Sequence, residues 1–301
     1  MKYILPLIIL VLLHKSSEGQ NYIDILKLSA STTPLNTFDS SSSKSKLIQT
    51  DADLSIPIKL NERTAVVSGV INECFQTKLF AYGQTMSFGS TTLKLGINHR
   101  LNDKWTTTMV LLPKIASDYG DYHTGDLQLG GVGIFKFKKS ENVNYKFGLY
   151  YNNELFGPFF VPMAGLYYLS PNKKLEANLM LPLTADINYQ IIPKVSIGTN
   201  FNGQIRSYHL THALPEHSDT YLSRSTNEFY AYLKFTLGKN VVLQTKLGQS
   251  IARNFRVYDR NDKVTFGLPA TFIGGNRKQL NSDFSDGMIF QATFIFRVAT
   301  K

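Results

Sequence analysis

Polar and apolar residues alternate with a period of two through most of this 301-residue chain. In the stretch VSIGTNFNGQIRSY, Val195, Ile197, Thr199, Phe201, Gly203 and Ile205 hold one set of alternate positions. Ser196, Gly198, Asn200, Asn202, Gln204 and Arg206 hold the other. Successive side chains leave a pleated strand on opposite faces, so this segment is a strand with one oily face and one rich in amides. It is much longer than the usual strand of about 5–6 residues. The same rhythm returns at 54–60, 93–101, 143–151, 175–183, 229–237, 241–247 and 288–298. Helical spacing is scarcely to be seen, which predicts an all-β protein.

The connections carry a second pattern. Tight polar turns are expected at 61–63, 102–104, 140–142, 170–173, 192–194 and 238–240. Between them lie longer polar or irregular segments at 31–46, 73–89, 113–125, 152–158, 207–225 and 252–286, with a short outer turn inferred near 184–186. In an up-and-down meander alternate connections fall at opposite ends, so one end carries tight turns and the other long loops. That asymmetry, with long amphipathic strands and abundant Tyr and Phe, is the signature of a transmembrane antiparallel β-barrel. Inside hydrocarbon every backbone N–H and C=O must be paired, so a sheet crosses only when closed without edges. The oily face then meets lipid and the amide face the lumen. About fourteen strands are predicted, from near 22–29 to 287–299, with twelve the alternative if 22–29 folds inside or one weakly patterned pair is not a pair of strands. Both termini and the short turns face the periplasm, and the long loops face outward. A secreted β-sandwich or β-solenoid is the alternative; its strands would be shorter and its loops would lack the end-to-end asymmetry.

The N-terminus fits this picture. Lys2, an apolar run over 3–13 and the small residues Ser16, Ser17 and Gly19 describe a secretory signal peptide over 1–19, cleaved after Gly19. The run is too short for a membrane-spanning helix. Residues 20–301 form the barrel domain, placed in the outer membrane of a Gram-negative cell. Cys74 is the sole cysteine, so no intramolecular disulfide forms and closure of the barrel must supply the stability. With 43% hydrophobic and 18% charged residues, disorder is excluded. The formal charge is +10, and removing Lys2, Lys15 and Glu18 (net +1) leaves +9. After export that charge points away from nucleic acid and toward membrane lipid, lipopolysaccharide or small anionic solutes.

The stretch KKSENVNYKFGLYYNNELFGPFFVPMAGLYY, preceded by LNDKWTT and DLQLGG and followed by STNEF and NFRVYDRNDKV, resembles a family of outer-membrane β-barrel proteins typical of Bacteroidetes, a domain of unknown function. The likeness covers most of the mature chain in the same order, most specifically through SEN-x3-KFGLYY and FGPF. It implies an outer-membrane barrel and assigns no catalytic or binding residue.

Candidate chemistry is sparse. His209, His212, Glu216 and His217 have metal-ligand side chains, but in a long loop without rigid flanks they read as solvated histidines. Asp118, Asp121 and Asp126 do not follow an EF-hand spacing and read as loop carboxylates. There is no G-x-S-x-G, and no nucleophile with a base is indicated, so no enzyme activity and no cofactor are expected. The lumen face is the best lead. Lys94, Lys146, Glu176, Asn200, Asn202, Gln204, Arg206, Glu228, Lys234 and Lys246 are the candidate lumen-lining residues, with Arg100, Lys136, Lys138, Lys174 and Arg297 on polar positions nearer the turns. A lumen so lined favours anions. The basic 252–286 segment, with Arg253, Arg256, Arg260, Lys263, Arg277 and Lys278, either folds into the lumen or clamps lipopolysaccharide. The function expected is passive or facilitated passage of small solutes. A non-conducting structural or adhesion barrel is the alternative, and an outer-membrane enzyme comes third.

Overall fold

The computed structural model describes residues 22–120, 124–214, 217–275 and 277–299. The signal segment at 1–19 lies outside the described residues. The strands are β1 (Tyr22–Thr37), β2 (Lys44–Lys59), β3 (Thr64–Thr77), β4 (Met86–Arg100), β5 (Trp105–Ser117), β6 (Leu127–Ser140), β7 (Val143–Glu154), β8 (Gly157–Leu169) and β9 (Leu175–Leu181). They continue as β10 (Thr184–Ile192), β11 (Val195–Leu214), β12 (His217–Thr236), β13 (Val241–Ser250), β14 (Asn254–Asp259), β15 (Phe266–Leu268), β16 (Thr271–Ile273) and β17 (Met288–Ala299). From β1 to β13 each strand pairs antiparallel with the next. β13 then pairs with β17, and β17 returns to β1, where Tyr22 lies opposite Ala299. Fourteen strands thus close into a barrel, and β14, β15 and β16 belong to the β13–β17 connection.

The two faces follow from exposure and register. Leu93, Leu95 and Ile97 are 46%, 52% and 51% exposed, as are many Leu, Ile and Phe residues round the same wall. So broad an apolar belt is intolerable in water and is what hydrocarbon requires. The intervening positions turn inward. Glu73, buried inside, lies directly opposite both Asp51 and Ser90. Stepping by two from these places Asp53, Ser55 and Lys94 on the inner face.

The tight turns lie where the alternation puts them, at the end that also carries both termini of the sheet. The outer connections differ from expectation. The segments expected at 31–46, 73–89 and 113–125 shrink to 38–43, 78–85 and 118–126 as strands run on past the belt. The 152–158 segment reduces to a two-residue turn at Leu155 and Phe156. The 207–225 segment is largely absorbed into β11 and β12, each 20 residues long. Outside lipid a paired strand no longer needs one uniformly oily face, so the period-two signal fades while the hydrogen-bond ladder continues. Among the described residues, only the segment between β13 and β17 remains a long connection.

Candidate functional site

Above Gly203, β11 leaves the wall. Up to that point it pairs with β10, and the Gly203 N–H donates to the Leu183 carbonyl at 2.7 Å. Beyond it the same strand edge reaches the opposite side of the mouth. There the Asp118 N–H donates to the His209 carbonyl at 3.0 Å, and Gln128 Nε2 donates to the Ser207 carbonyl at 3.1 Å. β12 follows as the hairpin partner, and β14 adds to the outer half of β12, from Thr220 opposite Asp259 to Ser225 opposite Asn254. Three strands therefore cross the outer mouth as a folded-in sheet.

This sheet is buried on both faces. Tyr208, Leu210, Leu222, Phe255 and Val257 pack on one side against Phe75 and Phe88 of β3 and β4. Tyr221 and Tyr258 pack on the other against Leu155, Phe156, Phe159 and Val161 of the β7–β8 hairpin. Tyr208, Leu210, Tyr221, Leu222 and Val257 are each 0% exposed, which makes the sheet core and not a solvated loop. Each such side chain contributes about 1.5–3 kcal/mol by leaving water.

One carboxylate anchors the sheet to the wall. Glu154, with its side chain 0% exposed, accepts from Lys114 Nζ at 3.0 Å, from the Ser207 N–H at 2.7 Å, from Ser207 Oγ at 2.6 Å and from Asn152 Nδ2. The tight β7–β8 turn places it there. Gly157 sits at φ +126°, where a Cβ would strain the backbone and also meet the Val264 carbonyl at 2.6 Å. Tyr221 donates its hydroxyl to the Asp262 carbonyl at 2.6 Å, and burial pushes its phenol up to about 12.

The histidine expectation is corrected here. His209 is 4% exposed on a strand, with Nδ1 2.7 Å from Asp126 and Nε2 3.0 Å from Asp219. Asp118 accepts the Thr211 N–H at 2.8 Å, so Asp118 and Asp126 tie down the hairpin and are not free loop carboxylates. Asp121 and Glu216 lie outside the described residues, as do the side chains of His212 and His217. The 252–286 segment folds into the mouth through β14. Arg253 Nη2 donates to Asn36 Oδ1 at 2.6 Å and Arg256 Nη2 to Asp283 at 2.7 Å, while Arg277 lies over the Tyr258 ring at 4.6 Å.

Beneath the sheet the interior is a set of paired charges. Arg206 meets Glu73, and Arg224 Nη1 donates to the same carboxylate at 3.0 Å. Arg224 Nη2 donates to Gln49 at 2.5 Å, with the guanidinium 4.5 Å from the Phe75 ring centre. With its amide oriented so that the oxygen faces the guanidinium, Gln204 accepts from Arg206 Nη2 at 2.6 Å. Lys94 meets Asp53 and donates to Ser55 Oγ at 2.7 Å. Lys246 donates to Asn200 at 3.2 Å, and Glu228 accepts from the Tyr230 hydroxyl at 2.7 Å. Lys146 donates to Asn178 at 2.6 Å, while Lys234 lies over the Tyr232 ring at 5.3 Å. Asn202 stands opposite Thr184 and Glu228. Tyr22 in β1 donates to Glu176 in β9 at 3.3 Å. Strands so far apart round a closed convex wall touch only through its inside, so this contact narrows the inner end.

The structure therefore brings Arg206 and Gln204 together, and Asn200 with Lys246, while Lys94, Lys146 and Glu176 take other partners. Sequence reasoning missed Glu73, Asp53, Glu154 and Asp186, which accepts from the Tyr232 hydroxyl at 3.0 Å, as interior acids. Asp53 was legible, since it alternates with Leu54 and Ile56. Glu73 and Glu154 fell in stretches expected to be loops.

A closed antiparallel wall with an apolar belt and an internal polar network defines a transmembrane β-barrel of the outer-membrane kind. The chain matches the family described as "Domain of unknown function (DUF6268)" over residues 34–292, and it belongs to that family. No curated protein matches the sequence. Among solved structures, it is similar to an outer membrane channel from Pseudomonas putida F1, at 10% identity and a TM-score of 0.44, covering 94% of this chain and 97% of that one. It is also similar to the P. putida toluene transporter TodX, at 10% identity and a TM-score of 0.42, covering 91% and 89%. A third likeness is to the translocator domain of the autotransporter NalP from Neisseria meningitidis, at 9% identity and a TM-score of 0.38, covering 91% and 88%. The closed barrel is established by the strand pairing itself.

Proposed function

We propose that the protein is an outer-membrane barrel that passes small solutes through a lumen gated by its own folded-in sheet, with no cofactor and no catalytic step. The observation that carries this reading is the three-stranded sheet across the outer mouth. It is tied to the wall by a discrete set of polar contacts centred on Glu154 and Ser207. A barrel of about fourteen strands lies between the small filled barrels and the 16–18-stranded open channels, so such a segment is sufficient to close it. The chain reaches the membrane by export, with processing after Gly19, and its outer surface meets lipid and lipopolysaccharide. The burial of the sheet on both faces favours a second reading, a permanently closed structural or adhesion barrel acting through its outer surface.

Planar-bilayer recording separates the two. In a variant with 206–224 replaced by a short Asn-Gly turn, the mouth loses the β11–β12 part of its cover. We expect discrete conductance steps from this variant and rare, brief openings from the native chain. A trimmed barrel that still shows heat-modifiable gel mobility, and so is folded, yet never conducts would overturn the gated reading in favour of the structural one.

A further inference from the structure

The wall has a gap between β8 and β11. β8 pairs with β9 only from Ala164 inward, and β11 with β10 only up to Asn202. The β9–β10 hairpin that fills the wall between them turns at Pro182 and Leu183, well below the outer ends of its neighbours. β9 has 7 residues and β10 has 9. A tilted strand needs about 9–11 residues to cross the hydrocarbon; β9 falls short of this and β10 only just reaches it, so their shared turn sits near the outer boundary of the hydrocarbon, lower than the turns of its neighbours.

The free edge of β8 suits that depth. The Leu169 N–H donates to Asn142 on the β7 side, so odd-numbered β8 residues direct their backbone groups to β7 and even-numbered ones toward the gap. Above Ala164 the even positions are Pro158, Phe160 and Pro162. Two of the three have no N–H to leave unpaired in lipid. The outer part of this edge is covered by β15, which runs parallel to it with a bridge between Phe159 and Gly267, after the Val264 N–H has donated to the Phe156 carbonyl at 2.8 Å; the uncovered stretch is therefore the short one around Val161, Pro162 and Met163. Behind the gap lies apolar surface: Met180, Leu183 and Ile205 pack against the cluster containing Val161 and Met163. Ile205, expected from its alternation to face lipid, is drawn into this inner cluster because β11 has by then left the wall.

We propose that this gap is a lateral portal through which apolar, hydrocarbon-like molecules pass between the outer leaflet and the barrel interior, below the folded-in sheet. The inference rests on the reading of the barrel as a path for solutes and names a solute class for it. Leu183, half-buried on the sill, is the residue a passing molecule must displace. The sheet above keeps water from the same opening, which is why the mouth is sealed where the wall is not.

Two measurements test it. A nitroxide attached through Leu183→Cys, in a Cys74→Ser background, should be relaxed by dissolved oxygen and protected from a water-soluble nickel chelate. Preferential relaxation by the nickel chelate would put the sill in water and overturn the portal. For passage, intact cells producing the native barrel should take up N-phenyl-1-naphthylamine faster than cells lacking it. Leu183→Trp, which fills the gap, should return uptake to the level of cells lacking the barrel while leaving heat-modifiable mobility intact. Uptake unchanged by Leu183→Trp, or no faster than in cells lacking the protein, overturns the portal. If the trimmed 206–224 variant conducts ions in either of those cases, the portal alone has failed; if it does not, the passage reading has failed as well.

Discussion

Replacing Glu154 by glutamine strikes the contact that holds the folded-in sheet. The substitution keeps the side chain's size and one acceptor for Ser207, but it removes the charge facing Lys114. Both partners are almost wholly buried, with side-chain exposures of 4% for Lys114 and 0% for Glu154. Removing one partner of such a pair leaves an uncompensated buried charge, which costs about 3–5 kcal/mol. If outward swing of the sheet lets Lys114 reach water, that penalty falls on the closed state alone. At about 1.4 kcal/mol per factor of ten, the open population rises by roughly two to three and a half orders of magnitude. The reporter is a cysteine at Ser90, 1% exposed on the inner face opposite Glu73, in a Cys74→Ser background. A membrane-impermeant maleimide added to intact cells should label Ser90→Cys very slowly in the native context. With Glu154→Gln the labelling rate should rise in proportion to the open fraction. Adding Lys114→Met removes the stranded charge and should restore most of the protection, since replacing both members of a buried pair is often close to neutral. Unchanged labelling in Glu154→Gln, or a double variant as open as the single one, would refute the reasoning.

The two faces of β11 can be checked by opposite tolerance to arginine. Phe201 packs against Phe229, their tilted rings 4.6 Å apart between centres, on the lipid side, and Phe201→Arg should lower the unfolding free energy by about 2–4 kcal/mol if it lies at the bilayer midplane. Asn200→Arg, on the inner face beside Lys246, should still yield a stable, heat-modifiable barrel; equal effects at the two positions would mean the faces are not lipid and lumen. Export is checked by N-terminal sequencing and fractionation, with Gln20 as the first residue and the protein in the outer-membrane fraction. Recovery from the soluble periplasm would sink the membrane reading.

What was legible in the sequence is what the bilayer itself dictates. Leu93, Leu95 and Ile97 must be oily because lipid touches them, and Lys94 and Gly96 must not be, so alternation marks the strands and their facing. The ring of fourteen strands and the placement of the tight turns follow from that constraint. The folded-in sheet lies beyond its reach. Tyr208 and His209 are adjacent, on opposite faces, and both are buried, so neither face of the outer part of β11 is uniformly oily or polar. Ser207, His209 and Asp219 look like loop residues because their partners, Glu154 and Asp126, come from distant segments. Likewise Asn152 and Glu154 suggested an irregular stretch, although they are polar because they form an anchor. The gap beside β8 left one readable trace, the paired prolines at 158 and 162, which have a meaning only once the missing neighbour is known.

The seam between β1 and β17 sets the order in which this wall is made. Every other junction joins neighbours in the chain or, at β13 and β17, segments one loop apart; this one joins Tyr22 to Ala299. Bringing ends so distant together costs about 5 kcal/mol of chain entropy, against roughly 1–2 kcal/mol for a tight hairpin. The hairpins can therefore zip up first and leave an open, curling sheet whose two unpaired edges are intolerable in hydrocarbon. The last twelve residues of the ladder, Met288–Ala299, carry both the β13 and the β1 pairings. Until these twelve residues are laid down, the wall has two unpaired edges, so the last strand in the chain completes the only arrangement in which every strand of the ring is paired on both sides.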